Sequence, residues 1–347
     1  MARRRIRPIN VVRSAGKSYQ AVQDDIVDAV RPYLADGLTQ TTTEYARGAL
    51  NFTMFIRQPA DVMMSHGVAC KRYLWLRDPE SGERMLNRFA AVLVAGRWHR
   101  ERLLATPDIT LGPSQIHIVG WPRLDRLLAA QATADAGDTT RAKRRLRVLW
   151  APTHDWRKRG PEQRATSSYP EFEEHLPALE RHFDVAVSLH PRNRQEKSTT
   201  TEQFVWADVV ISDFGTMVYE AWALGKPVLF PRWILEDRVI TYVPQSAEAH
   251  IFAADIGLHP RSIDEMIAMI TDRVPVGDDV TGFLDEYLDP ASRGHAGRLV
   301  ADVLESLRRT SARRAAVRRP WSRLLRRRGR AVGHDGRGVG AVRRRDR

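Results

Sequence analysis

The 347-residue sequence holds a single cysteine, Cys70, so no disulfide can form within the chain, and a reducing cytoplasm is its expected setting. No stretch approaches the ~20 apolar residues of a membrane span. The apolar runs are short and end at Gly, Pro or charge. The basic start Met1-Ala2-Arg3-Arg4-Arg5 is not followed by an apolar segment of roughly 7 to 15 residues, so secretion is not expected. Signature motifs are scarce too. Ala15-Gly16-Lys17-Ser18 ends like a phosphate-binding loop, but Val11 stands where the first glycine is required, which excludes Walker-type chemistry. There is no Gly-x-Gly-x-x-Gly, no His-Glu-x-x-His and no Asp-x-Asp, and the 11 histidines lack cysteine partners. Neither a resident cofactor nor a metal is expected.

The body also lacks an excess of charge. The formal net charge is +13, but residues 308–347 alone carry sixteen Arg against Asp335 and Asp346, which leaves the remainder near −1. A nearly neutral globular body followed by a basic tail does not read as a nucleic-acid-binding fold. The Arg-rich segment has no apolar period and is expected to be disordered. Three roles stay open for it: a translated extension without function, attraction to an anionic membrane surface, and contact with nucleic acid.

What is present is α/β. Short Val-, Ile- and Leu-rich runs at 9–12, 61–64, 91–94, 116–119, 147–150, 185–189, 209–212 and 227–230 alternate with helical patterns such as 19–33 and 216–224. Continuous apolar runs of this length read as parallel strands buried on both faces, in doubly wound units. An Ala-, Asp- and Thr-rich stretch at 131–146 lacks an apolar period and reads as a linker. It separates an N-terminal Rossmann-like domain, 1–130, from a C-terminal nucleotide-binding one, 147–307, with the tail at 308–347.

In an open α/β sheet, ligand-binding groups sit just past the carboxyl ends of the strands. Three polar clusters occupy such places. In Ser65-His66-Gly67-Val68-Ala69-Cys70-Lys71, His66 would project from a strand end with Lys71 one turn away. An imidazole there can take a proton from an attacking hydroxyl; a loop histidine in a hydrogen bond is the plain alternative. In His190-Pro191-Arg192-Asn193-Arg194 a turn offers imidazole and guanidinium together, a pairing suited to diphosphate, with surface ion pairing as the alternative. In the third, Ser212-Asp213-Phe214-Gly215-Thr216 leads into a short helix that carries Glu220 and stops at Gly225. Thr216 is expected to cap that helix and touch phosphate at its N-terminus, and Glu220, four residues on, to reach a ribose hydroxyl.

Taken in order, these segments resemble the CDP-glycerol glycerophosphotransferase family, the teichoic-acid polymerases and primases of GT-B fold. His66-Gly67…Lys71 stands where that family has His-Gly-Thr-Pro-Leu-Lys, and Gly120-Trp121-Pro122-Arg123-Leu124-Asp125 where it has Gly-x-Pro-Arg-x-Asp. Ala151-Pro152-Thr153 and Leu189-His190-Pro191 match its Ala-Pro-Thr and Leu-His-Pro, and Asp213-Phe214-Gly215-Thr216 replaces its Asp-Tyr-Ser-Ser. Residues 9–307 are covered. The stretch before His66 is compressed, so a strand is expected to be missing or remodelled there, and Gly215 replaces a hydroxyl residue.

The resemblance implies two Rossmann-like domains facing across a cleft. It further implies transfer of glycerol phosphate, or a related polyol phosphate or sugar, from a nucleotide-activated donor to a glycopolymer or lipid-linked hydroxyl acceptor. His66 and His190 would be catalytic. Arg192, Asp213, Thr216, Glu220, Lys71, Arg123 and Thr153 would bind the donor. The setting would be cytoplasmic, with peripheral association at the inner membrane face through the tail. The third cluster is also similar to the UDP-N-acetylglucosamine 2-epimerases. A UDP-sugar GT-B enzyme, or a non-catalytic scaffold with a polyanion-binding tail, therefore stays open.

Overall fold

A computed structural model of the chain describes residues 7–14, 20–35, 39–69, 72–137, 143–153, 167–189, 200–242 and 244–310. The first lobe contains β1 (Ile9–Val12), α1 (Gln20–Val30), β2 (Thr39–Thr42), β3 (Leu50–Thr53), β4 (Val62–Met64), β5 (Ala91–Val94), α2 (Arg97–Ala105), β6 (Ile116–Ile118) and α3 (Pro122–Gly137). Its six strands are all parallel, in the order β2-β1-β3-β4-β5-β6. The second lobe contains β7 (Arg147–Ala151), α4 (Leu176–Glu180), β8 (Asp184–Val187), α5 (Thr200–Trp206), β9 (Val209–Ser212), α6 (Thr216–Ala223) and β10 (Val228–Leu229). After them come α7 (Arg232–Leu235), α8 (Arg238–Tyr242), α9 (Ala247–Ala253), α10 (Ile263–Thr271), α11 (Asp278–Tyr287) and α12 (Ala296–Thr310). Its sheet is also parallel, in the order β10-β9-β7-β8.

Burial on both faces explains the apolar runs: β1, β5 and β9 are buried along their whole length. The strand order reverses beside β1 in the first sheet and beside β7 in the second, which opens a crevice at the carboxyl ends there.

The sequence signals fail at three places. The segment before His66 holds two strands, β2 and β3, that no unbroken apolar run marks. β2, Thr-Gln-Thr-Thr, is an edge strand whose Gln40 and Thr41 side chains face solvent, so it needs no apolar residues. β3 buries Asn51 and Thr53, whose polar groups are satisfied by Asn10 at 2.9 Å and by the Val12 carbonyl at 3.1 Å. The expected linker at 131–146 begins inside a helix, because α3 continues to Gly137 on its Ala-rich sequence.

The third difference concerns the end of the chain. α12 does not close the second domain; it returns to pack on α1 and α3 of the first lobe. A Cβ on Gly297 would stand 2.1 Å from the Ala29 carbonyl oxygen, so only glycine permits this approach of α12 to α1. Asp125, on α3, accepts from the Ala296 and Gly297 N–H groups at 3.1 and 2.7 Å and so caps α12 from another element. Arg308 and Arg309, assigned to the tail from sequence, lie in the last turn of α12, where Arg308 is buried beside Glu305 at 2.5 Å. The rest of the Arg-rich segment, 311–347, lies outside the described residues. Among the described residues no helix is long and apolar enough to cross a membrane.

The largest apolar cluster runs through both lobes, from Ile9 and Phe52 in the first through Leu149 and Tyr219 in the second to Leu304 in α12. Smaller clusters line the far face of each sheet.

Candidate functional site

At the carboxyl edge of the second sheet, β7 and β9 end side by side. Ser212 donates to the Ala151 carbonyl at 2.8 Å, and the Thr153 N–H donates to Asp213 Oδ2 at 2.8 Å. Ser167 in turn donates to the Thr153 carbonyl at 2.8 Å. Thr153 and Asp213, expected as donor-binding residues, are therefore brought together at the topological switch point. Asp213 is wholly buried, and that burial lifts its carboxyl to about 6, against the opposing hydrogen bonds from Ser168, Thr153 and Ser167.

With the folded value above the unfolded 3.8, the native state holds the extra proton, so Asp213 contributes stability below pH 4 that is lost as pH rises through 6. Asp213→Asn is therefore expected to gain on wild type by up to about 3 kcal/mol between pH 4 and pH 8, whatever the constant offset between the two proteins. Urea unfolding at the two pH values measures this, and a difference that does not move with pH would refute the assignment.

Beyond Asp213 the chain turns at Gly215, whose φ of 118° is open to glycine, and enters α6. Gly215, not Thr216, is the cap residue, so the helix start carries no side-chain cap, an arrangement that can receive an anion on its first-turn N–H groups. Thr216 is the first helical residue. Its Oγ1 accepts from the Val68 N–H of the first lobe at 3.1 Å.

That contact places the His66 turn against the start of α6. Gly67 lies so near that a Cβ would stand 2.8 Å from Thr216 Oγ1. The Val68 carbonyl accepts from the Tyr287 hydroxyl at 2.8 Å, and the Gly67 N–H donates to Ser65 Oγ at 3.3 Å. The half-buried His66 ring stacks on Phe55 with centroids 4.7 Å apart and planes at 13°. The His66 side chain of the first lobe and the start of α6 in the second are thus held at one junction.

Arg123 and Glu220 serve a different purpose from the donor contacts expected of them. Arg123 Nη1 donates to both Glu220 oxygens at 2.8 and 2.7 Å, Trp121 Nε1 donates to Oε1 at 2.9 Å, and Arg123 Nε donates to Asp25 of α1 at 3.1 Å. Glu220 is fully buried, and neither oxygen is open to a ribose while Arg123 occupies both. Burial lifts its carboxyl above the ordinary range, while Arg123 and Trp121 oppose that lift. The Gly120-to-Asp125 segment as a whole joins the parts of the molecule. Gly120, at φ 76°, would drive a Cβ to 2.2 Å from Ser292 Oγ; Trp121 and Arg123 grip α6; Asp125 caps α12.

His190, Arg192 and Lys71 lie outside the described residues. Among the described residues, no three His, Cys, Asp or Glu side chains gather so that they could hold a metal ion. Sequence reasoning missed Tyr287, whose Glu-Tyr-Leu surroundings read as one more helical aromatic, and Trp121, whose indole donor has no signature in the chain.

No family model and no curated protein matches the sequence. Solved structures do. The wall teichoic acid polymerase TagF superposes with a TM-score of 0.63 at 14% identity, over 88% of this chain and 90% of that one. A TagF variant soaked with CDPG gives 0.62 at 14% identity over the same shares. A UDP-GlcNAc 2-epimerase from Neisseria meningitidis bound to UDP-GlcNAc gives 0.48 at 12% identity, over 86% of this chain and 100% of that one, a likeness too slight to carry an argument. With two all-parallel sheets joined at the His66 junction and a last helix that crosses back to the first lobe, the chain has the GT-B fold, built like the polymerase TagF.

Proposed function

We propose that the protein is a GT-B transferase that moves glycerol phosphate, or a closely related polyol phosphate, from its CDP-activated form to a hydroxyl acceptor. The observation that carries this reading is the Val68-to-Thr216 hydrogen bond, which sets the His66 turn on the N-terminus of α6. The fold shared with TagF, and the CDPG used with a variant of that protein, support the choice of donor.

In this reading the donor diphosphate lies at the start of α6, where N–H groups and the helix dipole favour negative charge. The acceptor oxygen attacks the phosphorus that bears glycerol. A new P–O bond forms, the diphosphate P–O bond breaks, CMP leaves, and the acceptor proton passes to the His66 imidazole. His190 and Arg192, in the segment after β8, would neutralise charge on the departing phosphate, as their sequence pattern suggests. The Arg-rich tail would favour an anionic membrane surface, where a lipid-linked acceptor is presented.

A melting-temperature panel of CMP, CDP-glycerol, CDP-ribitol and UDP-N-acetylglucosamine tests the donor. A ligand at 100 times its Kd stabilises by about 2.7 kcal/mol, enough to raise Tm by a few degrees. CMP and CDP-glycerol are expected to do so. A response to the UDP-sugar alone, or to no nucleotide, would refute the proposal.

A further inference from the structure

Both backbone polar groups of Val68, two residues past His66, are held by side chains of the other half of the molecule: the N–H by Thr216 Oγ1 at 3.1 Å and the carbonyl by the Tyr287 hydroxyl at 2.8 Å. Thr216 belongs to the proposed phosphate site. Tyr287 does not. It is the last residue of α11, fully buried, and its ring stacks on Tyr219 of α6 with centroids 4.0 Å apart and planes at 5°. Tyr219 is fixed in turn, donating to Glu248 Oε1 in the first turn of α9 at 3.0 Å.

On its other side Tyr287 meets the first lobe. The His99 and Trp98 rings of α2 lie 4.6 and 5.5 Å from it, and Gly96 is so close that a Cβ would stand 2.3 Å from the Tyr287 carbonyl oxygen. Burial pushes the His99 imidazole down to about 3, so the ring is neutral packing surface at any ordinary pH. The Tyr287 hydroxyl is thus positioned by both lobes at once, and it donates to a peptide carbonyl of the His66 turn.

Such an arrangement fixes a loop. A reacting group must stand within about half an ångström of its productive place, and a misplacement of ~1 Å can cost about a hundredfold in rate. A turn that follows the end of β4 does not supply that rigidity alone. We propose that Tyr287 is a positioning residue whose hydroxyl locks the His66 turn against α6 and so sets the imidazole over the phosphate site. The proposal rests on the function given above for its catalytic consequence, but not for its structural one.

Tyr287→Phe removes the hydroxyl and keeps the stacked ring. Tyr219→Phe is the control: it removes an equally buried hydroxyl from the same stack without touching Val68. Hydrogen exchange of a peptide spanning residues 66–69 is expected to quicken at least tenfold in Tyr287→Phe and to stay at the wild-type rate in Tyr219→Phe. In CMP release from CDP-glycerol, Tyr287→Phe is expected to lower kcat at least tenfold with the donor KM within about twofold, and Tyr219→Phe to leave both unchanged. Unchanged exchange in Tyr287→Phe, or equal losses of kcat in the two variants, would overturn the proposal. Should wild type release no CMP, the transferase reading fails, while the exchange rates still decide whether Tyr287 holds the turn.

Discussion

Arg123→Ala is expected to destabilise the protein by about 3–5 kcal/mol, the range for removing one partner of a buried ion pair. Wild type holds Glu220 in a site with no solvent exposure, and among the described residues Arg123 supplies two of the three hydrogen bonds its oxygens receive there. With the guanidinium gone, Trp121 is left as the donor to a carboxylate that burial already pushes toward its protonated form. Glu220 would then take up a proton on folding, so the loss is expected to grow as pH rises above the ordinary carboxylate range. Asp25 loses a partner as well, although Arg126 still reaches it at 2.8 Å.

Native proteins carry only about 5–15 kcal/mol of stability, so this loss consumes a large part of it. Replacing both partners by apolar residues should cost less than either single change, because no charge is then stranded. The double variant Arg123→Met with Glu220→Met is expected to unfold at higher urea than Arg123→Ala. A loss below 1 kcal/mol in Arg123→Ala would show that the clamp between the lobes is not held by this pair.

The same pair marks the limit of what the sequence reveals. The parallel strands were legible because burial on both faces demands unbroken apolar runs, and β1, β5 and β9 stand at the residues read for them. β2 was not, since an exposed edge strand has no such demand. Glu220 illustrates a subtler failure. Its spacing of four from Thr216 correctly puts both on α6, but spacing does not say which partner a carboxylate meets, and Arg123 lies 97 residues away in the chain. Tyr287 is harder still: its partner Val68 is 219 residues distant and contributes only backbone atoms, which no residue pattern can encode. His66 and Thr216 were legible as strand-end and helix-start residues of separate lobes. Their meeting through Val68 is a property of the fold alone.

His66→Ala is expected to have the largest effect on activity. A positioned acid–base group contributes typically 10²–10⁴ in rate, and in the proposed reaction His66 is the proton acceptor for the attacking hydroxyl. The imidazole is half-buried and stacked on Phe55, so its removal costs side-chain contacts such as that stack and leaves the backbone bonds of Val68 to Thr216 and Tyr287 in place. The proposed donor site at α6 is untouched. The variant should therefore fold, bind CMP and fail to turn over.

CMP release from CDP-glycerol, measured side by side for wild type and His66→Ala with CMP binding followed in both, is the most direct test of the junction as a reaction site. Turnover by wild type, a fall of at least a hundredfold in the variant and equal CMP binding are the expected result. Wild-type turnover in His66→Ala would contradict it.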